Sequence, residues 1–186
     1  GAFGLWAATS PARAHLVTGI GRVDSIATDG HKWLNVPYDS GVVFTAHPEA
    51  HRSAMSLAAA YIQSTAVERD PHEYTPEESR RGRAVPMYAA LRSLGTTGVG
   101  DMIERCCRLA ARMADRLQAD PHVRILNDVV LNQVLVRFEV PGHDPDELTR
   151  AVIAGVQDEG TCWLGGTTWH GMAAIRVAVS NWSTTD

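Results

Sequence analysis

The 186-residue chain is almost without lysine: of its seventeen basic side chains sixteen are arginines, and the exception is Lys32. A solvated face accepts either residue, so the positions that need only positive charge are filled by Arg. Arg stays protonated and cannot present a nucleophilic amine, whereas Lys can. Lys32 stands in the run Asp29-Gly30-His31-Lys32-Trp33-Leu34-Asn35. Apolar neighbours disfavour a charged amine, which makes this residue a candidate for imine chemistry with a carbonyl compound. The plain alternative is that a single lysine has to fall somewhere.

Other scarcities narrow the possibilities further. The three cysteines, Cys106, Cys107 and Cys162, have no metal-type spacing and no even disulfide set, as in a protein of a reducing compartment, and read as core or helix-face thiols. With a net charge of -4, the densest basic cluster is Arg80, Arg81 and Arg83, so neither nucleic acid nor an anionic membrane is an expected partner. The uncharged stretch 53–67 is shorter than a membrane span and carries Ser, Gln and Thr, and no basic segment precedes an apolar one at the start. A cytoplasmic protein is expected. Hydrophobic residues at 45% and charged ones at 20% suit an ordinary globular domain with a real core. The chain begins at Gly1 and runs directly into apolar residues 2–8, which reads as an interior cut.

Along the chain, residues 1–8 end a buried strand or start a helix, and 23–28 and 41–45 read as strands. The segment between those strands holds Asn35, Pro37 and Asp39-Ser40, which is turn chemistry, so Lys32 is expected on a loop just past a strand end. In open α/β sheets, ligands bind outside the carboxyl ends of strands. A short helix is expected over 47–60 with Pro48 in its first turn, followed by a polar, proline-punctuated loop over 66–83. A helix over 86–94 is expected to break at Gly95, Gly98 and Gly100, with Asp101 capping a second helix that Asp120-Pro121 stops. Residues 131–138 alternate as a strand. Asp144, Pro145 and Glu147 form a capping-box variant that opens a helix ending at Gly160. Strands are expected over 161–164 and 174–180, the second with Ile175, Val177 and Val179 on one face and Arg176, Ala178 and Ser180 on the other.

The segment 24–41, Asp-Ser-Ile-Ala-Thr-Asp-Gly-His-Lys-Trp-Leu-Asn-Val-Pro-Tyr-Asp-Ser-Gly, resembles the cofactor-lysine segment of the group II pyridoxal-phosphate-dependent amino acid decarboxylases. Residues 1–4, the stretch Ser79-Arg80-Arg81 with 87–95, and residues 175–181 resemble further segments of that family in the same order. The resemblance implies an α/β chain that is the C-terminal portion of the PLP-dependent transferase (aspartate aminotransferase-like, type I) fold. Residues 1–95 would be the C-terminal part of the large cofactor-binding domain, and 96–186 a linking helix and a small α+β domain.

The resemblance also implies roles. Lys32 would form the Schiff base with pyridoxal 5'-phosphate, and His31, Ala2 and Asp29 would join it in binding that cofactor. Asp29 replaces the asparagine many members carry, and a carboxylate beside a phosphate needs a donor between them. Without the family, His31 reads as a partly buried loop histidine. Tyr61 matches the tyrosine implied to protonate the carbanion after loss of carbon dioxide, with Tyr74 as the alternative donor; homologues with Phe there tend toward oxidative deamination. Arg176 matches an arginine that holds the substrate carboxylate, its alternative being an exposed strand arginine in a surface ion pair. His47 and His51, four apart, have no third ligand in sight, so no metal is expected. The family's aspartate for the pyridine nitrogen would fall just before Gly1, so the piece alone is expected to be inactive.

The implied reaction is decarboxylation of an L-amino acid to the amine and carbon dioxide, in a homodimer with the site at the interface. An aminotransferase or decarboxylating aldehyde synthase of the same fold is the alternative. A non-catalytic fragment or dimerisation module is the alternative of another class.

Overall fold

The structure is a computed structural model and describes residues 2–56 and 70–185. Tyr61, expected as the proton donor, lies outside the described residues. The chain divides into two compact units, Gly1–Gly95 and Thr96–Asp186.

In the first unit, three short 3-10 helices, Gly4–Thr9, Ala14–Val17 and Ile20–Arg22, precede the first strand. Trp6 and Ala7 are buried in the first of them. Strand β1 (Ser25–Asp29) pairs antiparallel with β2 (Gly41–Thr45), from Ser25 opposite Thr45 to Asp29 opposite Gly41. The expected start of β1 at Val23 is corrected, because its N–H closes the preceding 3-10 turn on the Ile20 carbonyl. Helix α1 (Pro48–Met55) has proline in its first turn, where a missing N–H costs nothing. Within the expected polar loop, the Asp70 carboxylate accepts from the His72 N–H and caps one 3-10 turn, Pro71–Tyr74. Arg52 reaches Glu73 at 2.6 Å, and His51 Nε2 donates to the Tyr74 carbonyl at 2.9 Å, so this turn is tied to α1.

Helix α2 (Ala84–Gln118) departs from helical geometry only at Gly95, with φ 62° and ψ -178°. That conformation suits glycine, and it separates a piece in the first unit from a piece in the second. The breaks expected at Gly98 and Gly100 are corrected, as is the cap at Asp101: all three residues lie inside the helix. Glycine costs about 1 kcal/mol against alanine in a helix, and the burial of Val99, Gly100, Met102 and Ile103 on this stretch offsets it.

The second unit continues with β3 (Val123–Ile125), β4 (Gln133–Phe138), α3 (Pro145–Glu159), β5 (Gly165–Trp169) and β6 (Met172–Ala178). The sheet is antiparallel in the order β3-β4-β6-β5. Val134, Val136, Ala173 and Ile175 are buried on it, and Ile103, Cys106 and Ala110 are buried on α2. Asp144 opens α3 by accepting from the N–H groups of Asp146 and Glu147, and Gly160 closes it with φ 80°. The strand expected over 161–164 is corrected to β5. The Glu159 carboxylate takes both the N–H and the hydroxyl of Thr161, and Gln157 Nε2 donates to the Leu164 carbonyl, so these residues form a loop. The last strand starts two residues earlier than expected and ends at Ala178; Ile175 is buried and Arg176 exposed, as the alternation requires. Among the described residues, no helix is long and apolar enough to cross a membrane.

Candidate active site around Lys32

The lysine turn is built from its own backbone. The Gly30 N–H donates to the Ser40 carbonyl at 2.8 Å, and the Val36 N–H returns to the Gly30 carbonyl at 3.4 Å. Asn35 adopts φ 54°, a left-handed conformation that asparagine tolerates, and its Nδ2 donates to the Trp33 carbonyl at 2.7 Å. A Cβ on Gly30 would lie 2.9 Å from Ser40 Oγ, so only glycine lets the two ends of the loop approach this closely. Trp33, Leu34 and Val36 are buried, and Trp33 packs edge-on against Phe3 with ring centroids 5.4 Å apart. Anchoring these apolar side chains leaves the Lys32 side chain 42% exposed.

Lys32 Nζ lies 2.8 Å from Asp29 Oδ2 and 6.0 Å from the Phe3 ring centroid. The Lys32 ammonium holds the Asp29 carboxyl below the usual carboxylate range, against the opposing effect of burial and with a smaller contribution from His31. Asp29 is therefore charged at neutral pH.

His31 points its Nδ1 at the start of β2. The Ser40 N–H lies 3.0 Å from that nitrogen and the Ser40 carbonyl 3.1 Å from it. When Nδ1 accepts from the N–H, the ring proton sits on Nε2, available to an anion. The Tyr38 ring packs edge-on to His31, with centroids 4.7 Å apart. The far end of the loop is fixed by charge: Asp39 Oδ1 accepts from Arg83 Nε at 2.8 Å, and its carbonyl accepts from Arg81 at 2.8 Å. Arg83 also reaches Glu77 at 3.0 Å, and its guanidinium is the main cause of a lowered Asp39 carboxyl pKa. Asp29 and Ser40 further border a cavity of about 960 Å³ lined, among the described residues, by Ala27, Val43, His51 and Met87.

Of the residues singled out in the sequence, Lys32, His31 and Asp29 come together on one turn, and Ala2 precedes Phe3, which packs on that turn through Trp33. Arg176 lies in the second unit, exposed on β6 and opposite Gly165 and Leu135. Tyr74 ends the 3-10 turn tied to α1, and His47 Nε2 pairs with Asp24 at 2.9 Å. Sequence reasoning missed Gly30, Ser40 and Asp39 as site-forming residues. Their signal was the Asp39-Ser40-Gly41 turn directly before a strand. The set fits a pyridoxal-type group: a half-exposed primary amine for an aldehyde, beside an imidazole able to donate to an anion.

The conserved domain described as the pyridoxal-dependent decarboxylase conserved domain matches residues 2–140. The chain is 27% identical to a 4-hydroxyphenylacetaldehyde synthase of Rhodiola rosea, over 97% of this chain and 38% of that protein. It is 26% identical to an aromatic-L-amino-acid decarboxylase of Bacillus atrophaeus, over 100% of this chain and 40% of that protein. A solved structure of Oryza sativa TDC with PLP and tryptamine superposes with a TM-score of 0.90 at 21% identity, covering 98% of this chain and 39% of that one. The likeness to that structure places the two units in the PLP-dependent transferase fold. The chain thus spans about two fifths of the length of these relatives. By the match over 2–140, the chain belongs to the pyridoxal-dependent decarboxylase family.

Proposed function

We propose that the protein carrying this chain decarboxylates an L-amino acid to its amine and carbon dioxide, and that Lys32 is the residue to which pyridoxal 5'-phosphate attaches. The observation that carries this reading is the chain's single lysine, held half-exposed at the end of β1 beside His31 within the matched domain. When bound, the cofactor supplies an electron sink for the bonding pair released as the substrate carboxylate leaves as carbon dioxide.

The chain's own residues do the rest. Lys32 Nζ gives up a proton to become the nucleophilic amine. His31, with Nδ1 held by Ser40, would offer its Nε2 proton to the cofactor's phosphate. Ala2 belongs to the cofactor-binding side of the site through its neighbour Phe3. Arg176 offers a planar fork for the substrate carboxylate. Tyr61 delivers a proton to the carbon that has lost carbon dioxide, a step that a phenol performs well when water is excluded. A second copy of the protein is the proposed partner. The aldehyde synthase relative favours a second reading, in which dioxygen oxidises the decarboxylated substrate, water takes the place of its nitrogen, and the products are an aldehyde, ammonia and hydrogen peroxide.

The test is product analysis. The full-length protein is incubated with pyridoxal 5'-phosphate and aromatic and acidic L-amino acids, and carbon dioxide, amine and aldehyde are measured. Amine and carbon dioxide in equal amounts, abolished in Lys32→Ala, support the proposal; aldehyde as the main product supports the second reading. Absence of both products overturns both readings.

A further inference from the structure

Asp29 and Lys32 form an ion pair across the lysine turn. Asp29 Oδ2 is 2.8 Å from Lys32 Nζ, three residues on in a turn closed by backbone hydrogen bonds. His31, two residues on, faces Ser40 through Nδ1, so Lys32 is the side chain that hydrogen-bonds this carboxylate. The Asp29 side chain is 28% exposed, so the pair is only partly solvated. An ammonium that donates to a carboxylate has no lone pair with which to attack a carbonyl. A carboxylate also repels a phosphate, so a residue of this charge serves poorly as a direct phosphate ligand.

From these facts we infer that Asp29 is a positioning residue acting on Lys32 and not on the phosphate: it is the counter-ion that holds the Lys32 ammonium in place and unreactive until an aldehyde arrives. This rests on the reading of Lys32 as the attachment residue. In the step it restrains, the ammonium first loses one proton to solvent. The Nζ lone pair then forms the bond to the aldehyde carbon, the carbonyl oxygen leaves as water, and a C=N bond replaces C=O. The lowered Asp29 carboxyl keeps the counter-ion charged across the neutral range, so the restraint persists there.

Two probes separate action on the amine from action on the phosphate. Full-length wild type, Asp29→Asn and Asp29→Glu are exposed at pH 7 to pyridoxal 5'-phosphate or to pyridoxal, which lacks the phosphate. Both are trapped with borohydride, and labelling of the tryptic peptide bearing Lys32 is followed by mass spectrometry. The inference predicts that Asp29→Asn speeds labelling by pyridoxal several-fold, and labelling by pyridoxal 5'-phosphate by at least that factor because the carboxylate's repulsion of the phosphate is lost as well, while Asp29→Glu stays near wild type. Acceleration confined to the phosphorylated probe overturns it, and so does no change with either. If wild type labels Lys32 with neither probe, the functional reading fails and takes this inference with it; labelled wild type with an unchanged variant sinks the inference alone. A wild-type measurement covers the case of a variant that does not fold. Added salt screens a half-exposed ion pair, so pyridoxal labelling should rise with ionic strength, and salt-independent labelling contradicts the inference.

Discussion

The Ser40 N–H lies 3.0 Å from Nδ1 of His31, and Ser40 is itself buried at the start of β2. The lysine turn and the neighbouring strand thus meet in one hydrogen bond that sets which ring nitrogen faces outward. Replacing His31 with Gln keeps a side-chain N–H donor but loses this arrangement. A hydrogen bond to a charged group contributes about 1.5–3 kcal/mol, so His31→Gln should weaken pyridoxal 5'-phosphate binding by roughly 10- to 100-fold. Binding of pyridoxal, measured in parallel by fluorescence titration, should change little.

Close approach at Gly30 can be tested by adding one methyl group. A Cβ there would lie 2.9 Å from Ser40 Oγ, 3.2 Å from Val36 Cγ2 and 3.3 Å from Met87 Cε. Overpacking of this kind costs about 1–3 kcal/mol, so Gly30→Ala should lower the urea midpoint without changing the slope. Adding Ser40→Gly removes the closest clash and should recover part of the loss.

Acid stability should depend on Asp146. Its carboxylate accepts from Arg137 at 2.5 Å and from the Ala173 N–H at 3.0 Å, and the Arg137 hydrogen bond is the first cause of its lowered pKa. A depressed native value means that the unfolded chain binds the proton more readily. The contribution is therefore complete above the ordinary carboxylate value of about 3.9 and lost as pH falls through the native one. Asp146→Asn should be less stable than wild type at pH 7, with the difference shrinking below about pH 4. Denaturant midpoints across pH 2–7 check this.

Tyr61→Phe should change the product. If the phenol supplies the proton after loss of carbon dioxide, its removal slows amine formation by about 10²–10⁴-fold and shifts the remaining flux toward aldehyde. Chromatographic quantification of amine and aldehyde decides it; an unchanged amine yield would point to Tyr74 as the donor.

Much of this architecture was legible because local chemistry and tertiary packing agree. Asp144, Pro145 and Gly160 delimit α3 in the sequence and in space, and β2 occupies the five residues its pattern marks. The misreadings came from packing that local signals do not carry. Gly98 and Gly100 look like breakers, yet burial of the residues around them carries α2 through, and only Gly95 takes a non-helical conformation. β3 is three residues long, too short for alternation to register, and is defined by its pairing with β4. At the site, rarity marked Lys32 and the family resemblance marked His31. The partners of both are set by how the chain turns: Asp29 meets Lys32 across the turn, and Ser40 meets His31 nine residues on.

The most direct test of the central claim is the site of cofactor attachment. Full-length protein is incubated with pyridoxal 5'-phosphate, reduced with borohydride, digested with trypsin and mapped by mass spectrometry. The account predicts a pyridoxyl adduct on Lys32, in the peptide between Arg22 and Arg52, and none in Lys32→Arg. An adduct on another lysine of the protein, with Lys32 unmodified, would contradict it.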